Sequence, residues 1–486
     1  MDVLIIAANR AEHPVAVIPY GACVVAEAVK EKGHRVTLLD LMFEQDPVAA
    51  VNRALGGASP DVVGISVRNI DDNDMVHPTR YFRELVPLVE TIRRRTAAPV
   101  VLGGPAVAVM PEALLRYTGA DLAVLRDGET VFPRVLEALE QERAAGNLSG
   151  TARIQDGVYR AVLHTDCGLE NGNLKVPFHR WIDVPKYRSR MATLPIQSKR
   201  GCPFECVYCT YGVSEGRIQR LHAPDDVADA VRELAAEGAG DIEFVDSVFN
   251  APYDHALEIC ESLVRSPAEA RLLTMEVNPR FVDERLLRAM ELAGFSGIGI
   301  TAESAADSVL AGLGKGFGEQ HVYRTAEAVR RHGIPCFWIF LLGGPGEGPD
   351  TVLKTLRFAE GILRRQDVAF FNFGIRIYPG TPLESIAREE GLLSVSPGEM
   401  LEPRFYFSPQ LEPAWVQDQV HRSTRGRLNM IHTGSLSHPW LPAINRLASR
   451  LPISTPLWKH TASIRRLLGL LGRDIPQSGC STGRSA

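Results

Sequence analysis

Three cysteines fall within eight residues, Cys202, Cys206 and Cys209, in the segment KRGCPFECVYCTYG (199–212). This spacing sets three thiolates on one tight loop. Such a loop can hold three irons of a cubane cluster, which leaves the fourth iron without a protein ligand. An open iron can bind a small molecule and pass it an electron. A structural zinc site is one alternative, but it usually needs four ligands, often as two cysteine pairs, and the nearest histidines, His179 and His222, lie outside the loop. Redox-active cysteines and unrelated buried cysteines are the others. The remaining five, Cys23, Cys167, Cys260, Cys336 and Cys480, are too scattered for a disulfide framework.

The loop follows the first strand of an alternating pattern. Candidate strands are 194–199, 241–246, 271–277, 297–303, 336–342 and 369–375, and helical stretches fall at 224–237, 252–265, 282–293, 319–332, 350–365 and 383–390. Six strand–helix units over residues 191–395 predict a partial (β/α)6 barrel, with its chemistry at the C-terminal ends of the strands. A separate alternation precedes it. Apolar runs at 2–7, 35–40, 61–66, 99–104 and 121–125, with helical stretches at 20–32, 78–95, 111–117 and 128–143, predict an α/β domain over 1–145. Its sheet is parallel, flavodoxin-like and covered on both faces. Residues 146–190, with Gly/Asn clusters at GNLSG and ENGN, read as a linker with a small hairpin. Residues 396–486 show no alternation and read as mostly helical and irregular.

The bulk numbers exclude little. With 486 residues, 45% hydrophobic and 23% charged, the chain reads as an ordinary globular protein of two or three domains. A net charge of −5 points to no nucleic-acid partner. No run approaches the roughly 18–20 apolar residues of a membrane span. The start, MDVLIIAANRAEHP, lacks the basic segment of a secretory signal, so a cytoplasmic location is expected. From Gln419 to Arg473 there are nine basic residues and no acidic one. Packing on the acidic remainder is the favoured reading of that bias. Contact with an anionic membrane and contact with an acidic or phosphorylated substrate stay open.

The cysteine loop resembles that of the radical S-adenosylmethionine (SAM) superfamily, including the aromatic residue before the third cysteine, Tyr208. The resemblance spans about 195–395. It implies a [4Fe-4S] cluster on Cys202, Cys206 and Cys209, SAM chelated to the fourth iron, an external electron donor, and reductive cleavage to a 5′-deoxyadenosyl radical. It also implies SAM contacts at strand ends. Asp246 and Ser247 stand where the family often has Gly-Gly-Glu. Glu303 and Ser304, in GIGITAES, resemble the ribose-binding position, with Lys315 following. Gly344 lies in the glycine-rich end of the fifth strand, and Arg376 ends the sixth. A solvated strand end, a plain turn and a surface charge are the respective alternatives for Glu303, Gly344 and Arg376.

The first domain resembles the cobalamin-binding domain of one large branch of this superfamily, in DVVGISVRNIDDND (61–74), VVLGGPAVAVMPEALL (100–115) and LRDGETVFPRVLEAL (125–139). The last segment opens Arg126-Asp127-Gly128-Glu129 where the family reads Gly-Glu-Gly-Glu. The resemblance implies cobalamin contacts at Ser66, Arg68, Asn69, Gly103, Gly104 and Glu129. The Asp-x-His-x-x-Gly motif of other cobalamin domains is absent, so cobalamin without a protein histidine ligand is expected, with Arg68 or Asn69 at the cobalt's lower face. A domain that has lost its cofactor and serves as a substrate wall is the alternative. The implied function is methylation of an unactivated carbon of a small metabolite. A cyclisation, rearrangement or dehydration by the same radical is one alternative, and a non-enzymatic iron–sulfur or redox-sensing module is another.

Overall fold

The computed structural model describes residues 1–470 apart from 58, 144, 164–173, 437–439, 452 and 454. The ENGN cluster, Cys167, Cys480 and Arg473 fall outside the described residues. The first sheet contains β1 (Asp2–Ala7), β2 (Arg35–Asp40), β3 (Val62–Ser66), β4 (Val100–Gly103) and β5 (Leu122–Val124), all parallel, in the order β2-β1-β3-β4-β5. This is the flavodoxin-like order, whose direction reverses at β1/β3. Ligands in such sheets sit outside the carboxyl ends of the strands at that point. A helix over Pro47–Gly56 was not foreseen from the sequence. Asp46 caps it by accepting from Ala49 N at 2.9 Å, with proline in the first turn.

The stretch read as a linker is part of the fold. Its hairpin, β6 (Thr151–Gln155) and β7 (Val158–Val162), extends the sheet antiparallel beyond β5, making seven strands. Two short helices follow and bind back onto the first domain. Trp181 Nε1 donates to Glu27 Oε2 at 2.8 Å, Arg180 pairs with the same carboxylate, and Tyr187 Oη donates to Asp40 Oδ2 at 2.8 Å.

The second sheet begins with β8 (Leu194–Ile196). β9 (Lys199–Arg200) and β10 (Arg220–Leu221) then pair antiparallel around the cysteine loop. The main strands are β11 (Asp241–Phe244), β12 (Arg271–Val277), β13 (Phe295–Glu303), β14 (Cys336–Leu342) and β15 (Val368–Phe373). β16 (Ile375–Arg376) pairs with β17 (Phe405–Tyr406) beyond them. The expected six strands become seven, because β18 (Met430–His432) joins β15 in parallel. A three-residue strand is too short to show a period, so the C-terminal segment hid it.

The rest of that segment closes the barrel floor. Ser449, Leu451, Ile453 and Thr455 line a cavity with Leu194, Asp241 and Arg271, at the starts of β8, β11 and β12. The Trp458 ring meets Phe337, at the start of β14, at 5.4 Å. Arg465 donates to the carbonyls of Arg427, Leu428 and Met430 as β18 begins. Arg422 pairs with Asp418 at 2.6 Å and Arg427 with Glu360 at 3.3 Å. For these residues the bias in charge is met by protein. No helix among the described residues is long and apolar enough to cross a membrane.

The loop after β3 carries the first domain onto the top of the barrel. Asp71 accepts from Arg376 Nε at 2.8 Å, and both side chains are buried, 0% and 2% exposed. Arg376 also donates to the carbonyls of Ile377 and Met400. Tyr378 Oη donates to Asn73 at 2.9 Å. Arg376 was expected to touch SAM. Its guanidinium is instead spent inside the protein, as a brace between domains.

Removing one partner of a buried pair strands the other charge. Arg376→Met is therefore expected to cost about 3–5 kcal/mol of stability. Thermal unfolding checks it, and the double variant Asp71→Asn/Arg376→Met should recover part of the loss.

Candidate functional site

The cysteine loop is held from both sides before any metal is considered. Gly201 adopts φ +88°, and a Cβ there would stand 2.2 Å from the Ile218 carbonyl oxygen. Only glycine lets β9 and β10 close so tightly. Cys202 N donates to Gly216 O at 2.9 Å, Cys209 N to Cys206 O at 3.1 Å, and Val207 N to Leu313 O at 3.0 Å. All three cysteines line one small cavity, with Phe204, Arg217 and Thr381.

Burial raises the pKa of each thiol, that of Cys209 to about 12. Each thiolate also raises its neighbours: Cys206 and Cys202 both act on Cys209. Three buried thiols this close do not ionise together unless a cation joins them. A cluster of irons supplies that charge, so the donor set fits a [4Fe-4S] group. Among the described residues no three His, Cys, Asp or Glu side chains converge at the spacing of one metal ion. A cubane gives each thiolate its own iron and needs no such convergence.

Next to the loop stands a buried triad. Tyr208 Oη donates to Glu303 Oε1 at 2.7 Å, and Lys315 Nζ donates to the same oxygen at 3.0 Å. Burial alone would lower the pKa of the Lys315 ammonium. Glu303 and then Cys206 outweigh it and hold the value above normal. Glu303 has φ +61°, left-handed backbone for a non-glycine residue, a strain that clusters at ligand sites. Its side chain is 4% exposed, and Oε2 has no hydrogen-bond partner. Two donors fix one oxygen and leave the other aimed at something the protein does not supply.

Other expected SAM contacts turn inward. Asp246 accepts from Ser198 N and Oγ at 2.7 and 2.6 Å and from Lys199 N at 3.2 Å, and pairs with buried Lys199 at 3.7 Å. Its carboxylate is fully used in bracing the start of the loop. Ser304 Oγ bonds Thr355 Oγ1 at 3.1 Å and caps Ala306 N, so it also serves packing. Gly344 gives its N–H to Glu347 Oε2 at 3.1 Å, and a Cβ there would crowd Leu313 and Ile375. Ser247 remains beside the site: its hydroxyl donates to Gly201 O at 3.2 Å, next to Cys202.

In the first domain, Gly104 has φ +101°, and a Cβ would meet the Val67 carbonyl at 2.6 Å. Val67 N donates to Gly103 O at 2.8 Å, tying the ends of β3 and β4 together beside Ser66. Glu129 belongs to a different contact from the one expected. It pairs with Arg200, which also meets Asp127 at 3.1 Å, and Arg220 meets Asp127 at 3.0 Å. The unusual Arg-Asp-Gly-Glu opening is thus a docking acid for the barrel, two residues from Cys202. Arg68 keeps exposed surface, yet desolvation lowers its pKa, with Tyr211, Glu243 and Tyr81 as its charged or titratable neighbours. With its amide oriented to satisfy both atoms, Asn69 accepts from the Arg68 guanidinium at 3.2 Å.

Tyr211, Glu243 and Glu276 are partly accessible, and burial raises the pKa of each. They and Arg68 lie within electrostatic reach of one another, near the strand ends of both sheets. Sequence reasoning missed Arg200, Tyr211, Glu243 and Glu276. Tyr211 lies inside the quoted cysteine segment, and the two acids in otherwise apolar strands were a readable signal.

Two measurable consequences follow from these contacts. Gly201→Ala should fold but load markedly less iron per chain, read by iron and sulfide analysis. Glu347, with Oε1 unpartnered, has its pKa raised from 4.5 to about 7 by burial. Between those values the folded chain keeps a proton that the unfolded chain releases, so stability falls as pH rises through that window. Glu347→Gln should flatten this part of the stability–pH curve.

The model of the B12 binding domain matches residues 7–136, and that of the Radical SAM superfamily matches residues 196–359. An uncharacterized methyltransferase of Pyrococcus horikoshii is 26% identical over 381 residues, covering 77% of this chain and 79% of its own. Tryptophan 2-C-methyltransferase of Streptomyces laurentii is 25% identical over 441 residues, 78% of this chain and 73% of its own. Among solved structures, the radical SAM methyltransferase TsrM of Kitasatospora setae, with cobalamin and a [4Fe-4S] cluster bound, superposes with a TM-score of 0.84. The identity is 23%, over 96% of this chain and 98% of that one. The same protein has also been solved with tryptophan and a SAM analogue. The chain thus carries a B12 binding domain followed by a Radical SAM superfamily domain.

Proposed function

We propose that this chain is a cobalamin-dependent radical SAM enzyme that methylates an unactivated carbon of a small metabolite. One observation carries the reading: Arg68, just past a strand end of the first domain, and Tyr211, two residues after Cys209, lie within electrostatic reach of each other. The names of the relatives, methyltransferases in both cases, support methyl transfer as the reaction.

When bound, the cluster, SAM and cobalamin between them supply the electron, the radical and the methyl group. In the proposed arrangement Cys202, Cys206 and Cys209 hold three irons. Ser247 holds the Gly201 carbonyl beside Cys202. Glu303 Oε2 accepts from a ribose hydroxyl, with Tyr208 and Lys315 holding the carboxylate in that rotamer. Ser66, Gly103 and Gly104 would let the first domain's backbone approach a corrin, and Arg68, braced by Asn69, would stand against it. The docked loop 67–80 and the Arg200 contacts keep the two domains closed over the substrate and exclude water. An external electron donor reduces the cluster, and a cytoplasmic setting would provide one.

Anaerobic reconstitution with iron, sulfide and hydroxocobalamin should give a brown protein that keeps cobalamin through gel filtration. Given SAM, a reductant and candidate metabolites, including tryptophan, it should yield a product one methyl group heavier, read by mass spectrometry. Replacing Cys202, Cys206 and Cys209 together by Ala should remove the cluster absorbance and turnover. A normal cluster in that variant would refute the ligand assignment. Deoxyadenosine formation without any methylated product would turn the reading to a cyclisation or rearrangement.

A further inference from the structure

We propose that the strap of chain crossing the barrel floor docks on an anionic lipid surface, through arginines and leucines that its two helices turn outward. The proposal is independent of the reaction proposed above.

The strap runs from one edge of the second sheet to the other. Ser449, Leu451, Ile453 and Thr455 line the floor cavity at the starts of β8, β11 and β12, Trp458 meets the start of β14, and Arg465 meets the start of β18. β8 and β18 are the edge strands of that sheet. The strands run parallel, and the cysteine loop follows the far end of β8. A surface docked on the strap therefore leaves the cysteine end of the barrel free.

Buried contacts decide which way each helix turns. The first, Leu441–Ala448, buries Asn445 and Ala448, and Asn445 Nδ2 donates to Pro14 O at 2.8 Å. At about 100° per residue, Arg446 and Leu447 then fall on the opposite half. Leu447 is 62% exposed, Trp440 just before the helix is 53% exposed, and Arg446 and Arg450 are exposed beside them. The second helix, Thr461–Leu470, turns Arg465 inward onto three carbonyls. Its next two residues, Arg466 and Leu467, face out, the leucine 59% exposed. Each helix thus sets an exposed arginine directly before an exposed leucine.

Charge selects the partner. From Trp440 to Leu470 there are five basic residues and no acid. Arg465 is spent on carbonyls and Lys459 on Thr455 O. Among the described residues Arg446, Arg450 and Arg466 pair with no carboxylate. A surface of anions supplies what they lack. An acidic protein would need the arginines alone. Leucines more than half exposed beside them match a bilayer interface. There the leucine enters the acyl boundary while the guanidinium stays among the phosphates.

The test sediments the purified full chain with vesicles of phosphatidylcholine alone, or of equimolar phosphatidylcholine and phosphatidylglycerol. Binding is expected to the mixed vesicles only, weakening as salt is raised. Replacing Arg446, Arg450 and Arg466 together by Ala should weaken it about a hundredfold, at roughly fivefold for each arginine near an anionic surface. Leu447→Gln/Leu467→Gln should weaken it about tenfold. All five positions face solvent, so thermal unfolding should stay as in the wild type. Absent binding to the mixed vesicles, or equal binding to both kinds, overturns the proposal. Binding that survives the arginine variant overturns the assignment to these residues. Binding lost with the arginines but indifferent to the leucines means that charge alone holds the surface. That result overturns the lipid reading in favour of an acidic protein.

Discussion

Arg200 holds the molecule together at its most sensitive point. Its guanidinium, 12% exposed, meets Asp127 and Glu129 of the first domain while its backbone runs directly into Gly201 and Cys202. Burial works against the charge, but Glu129 and its neighbours outweigh that and hold the guanidinium's pKa above normal. The contact thus couples two decisions. The first domain can sit over the barrel only in the register that satisfies Arg200, and in that register the cysteine loop is fixed. Gln197 accepts from Arg200 Nε at 2.9 Å and donates to Glu215, which accepts from Gly201 N. The docking contact and the turn into the loop are one hydrogen-bonded chain.

The second interface, around Asp71 and Arg376, has a different logic. It ties the loop after β3 to the residues that follow β15. Buried ion pairs contribute little net stability, because desolvation offsets most of the attraction. Their geometry is nonetheless demanding, and a pair broken by tilting the domains is expensive. Two such contacts together resist tilting of the first domain on the barrel, and a reaction between bound groups needs such fixed placement.

Acids recur along the barrel sheet. Glu243, Glu276 and Glu303 sit at or near strand ends. Only Glu303 has a full partner in Lys315. Local sequence does not show the difference: Glu243 and Glu276 are each flanked by apolar residues, and Glu303 by Ala302 and Ser304.

The sequence by itself determined the parts whose information is local. The Cys-x3-Cys-x2-Cys spacing, the strand of each barrel unit and the parallel first sheet were all legible, because apolar runs and helical periodicity depend on near neighbours. Glu303 was singled out through its motif, and the structure leaves its Oε2 buried without a partner. Contacts across the chain were beyond such reading. Asp246, Ser304, Glu129 and Arg376 occupy motif-like positions, yet their partners lie 48, 51, 71 and 305 residues away. Those partners decide whether a polar group faces a ligand or a brace. The same holds for β18, three residues long, and for the edge of β5 on which the expected hairpin docks. A strand that short has no period, and only the edge it pairs with makes it a strand. Composition placed acids in the barrel strands, but tertiary structure alone decided which of them found a counter-charge and which did not.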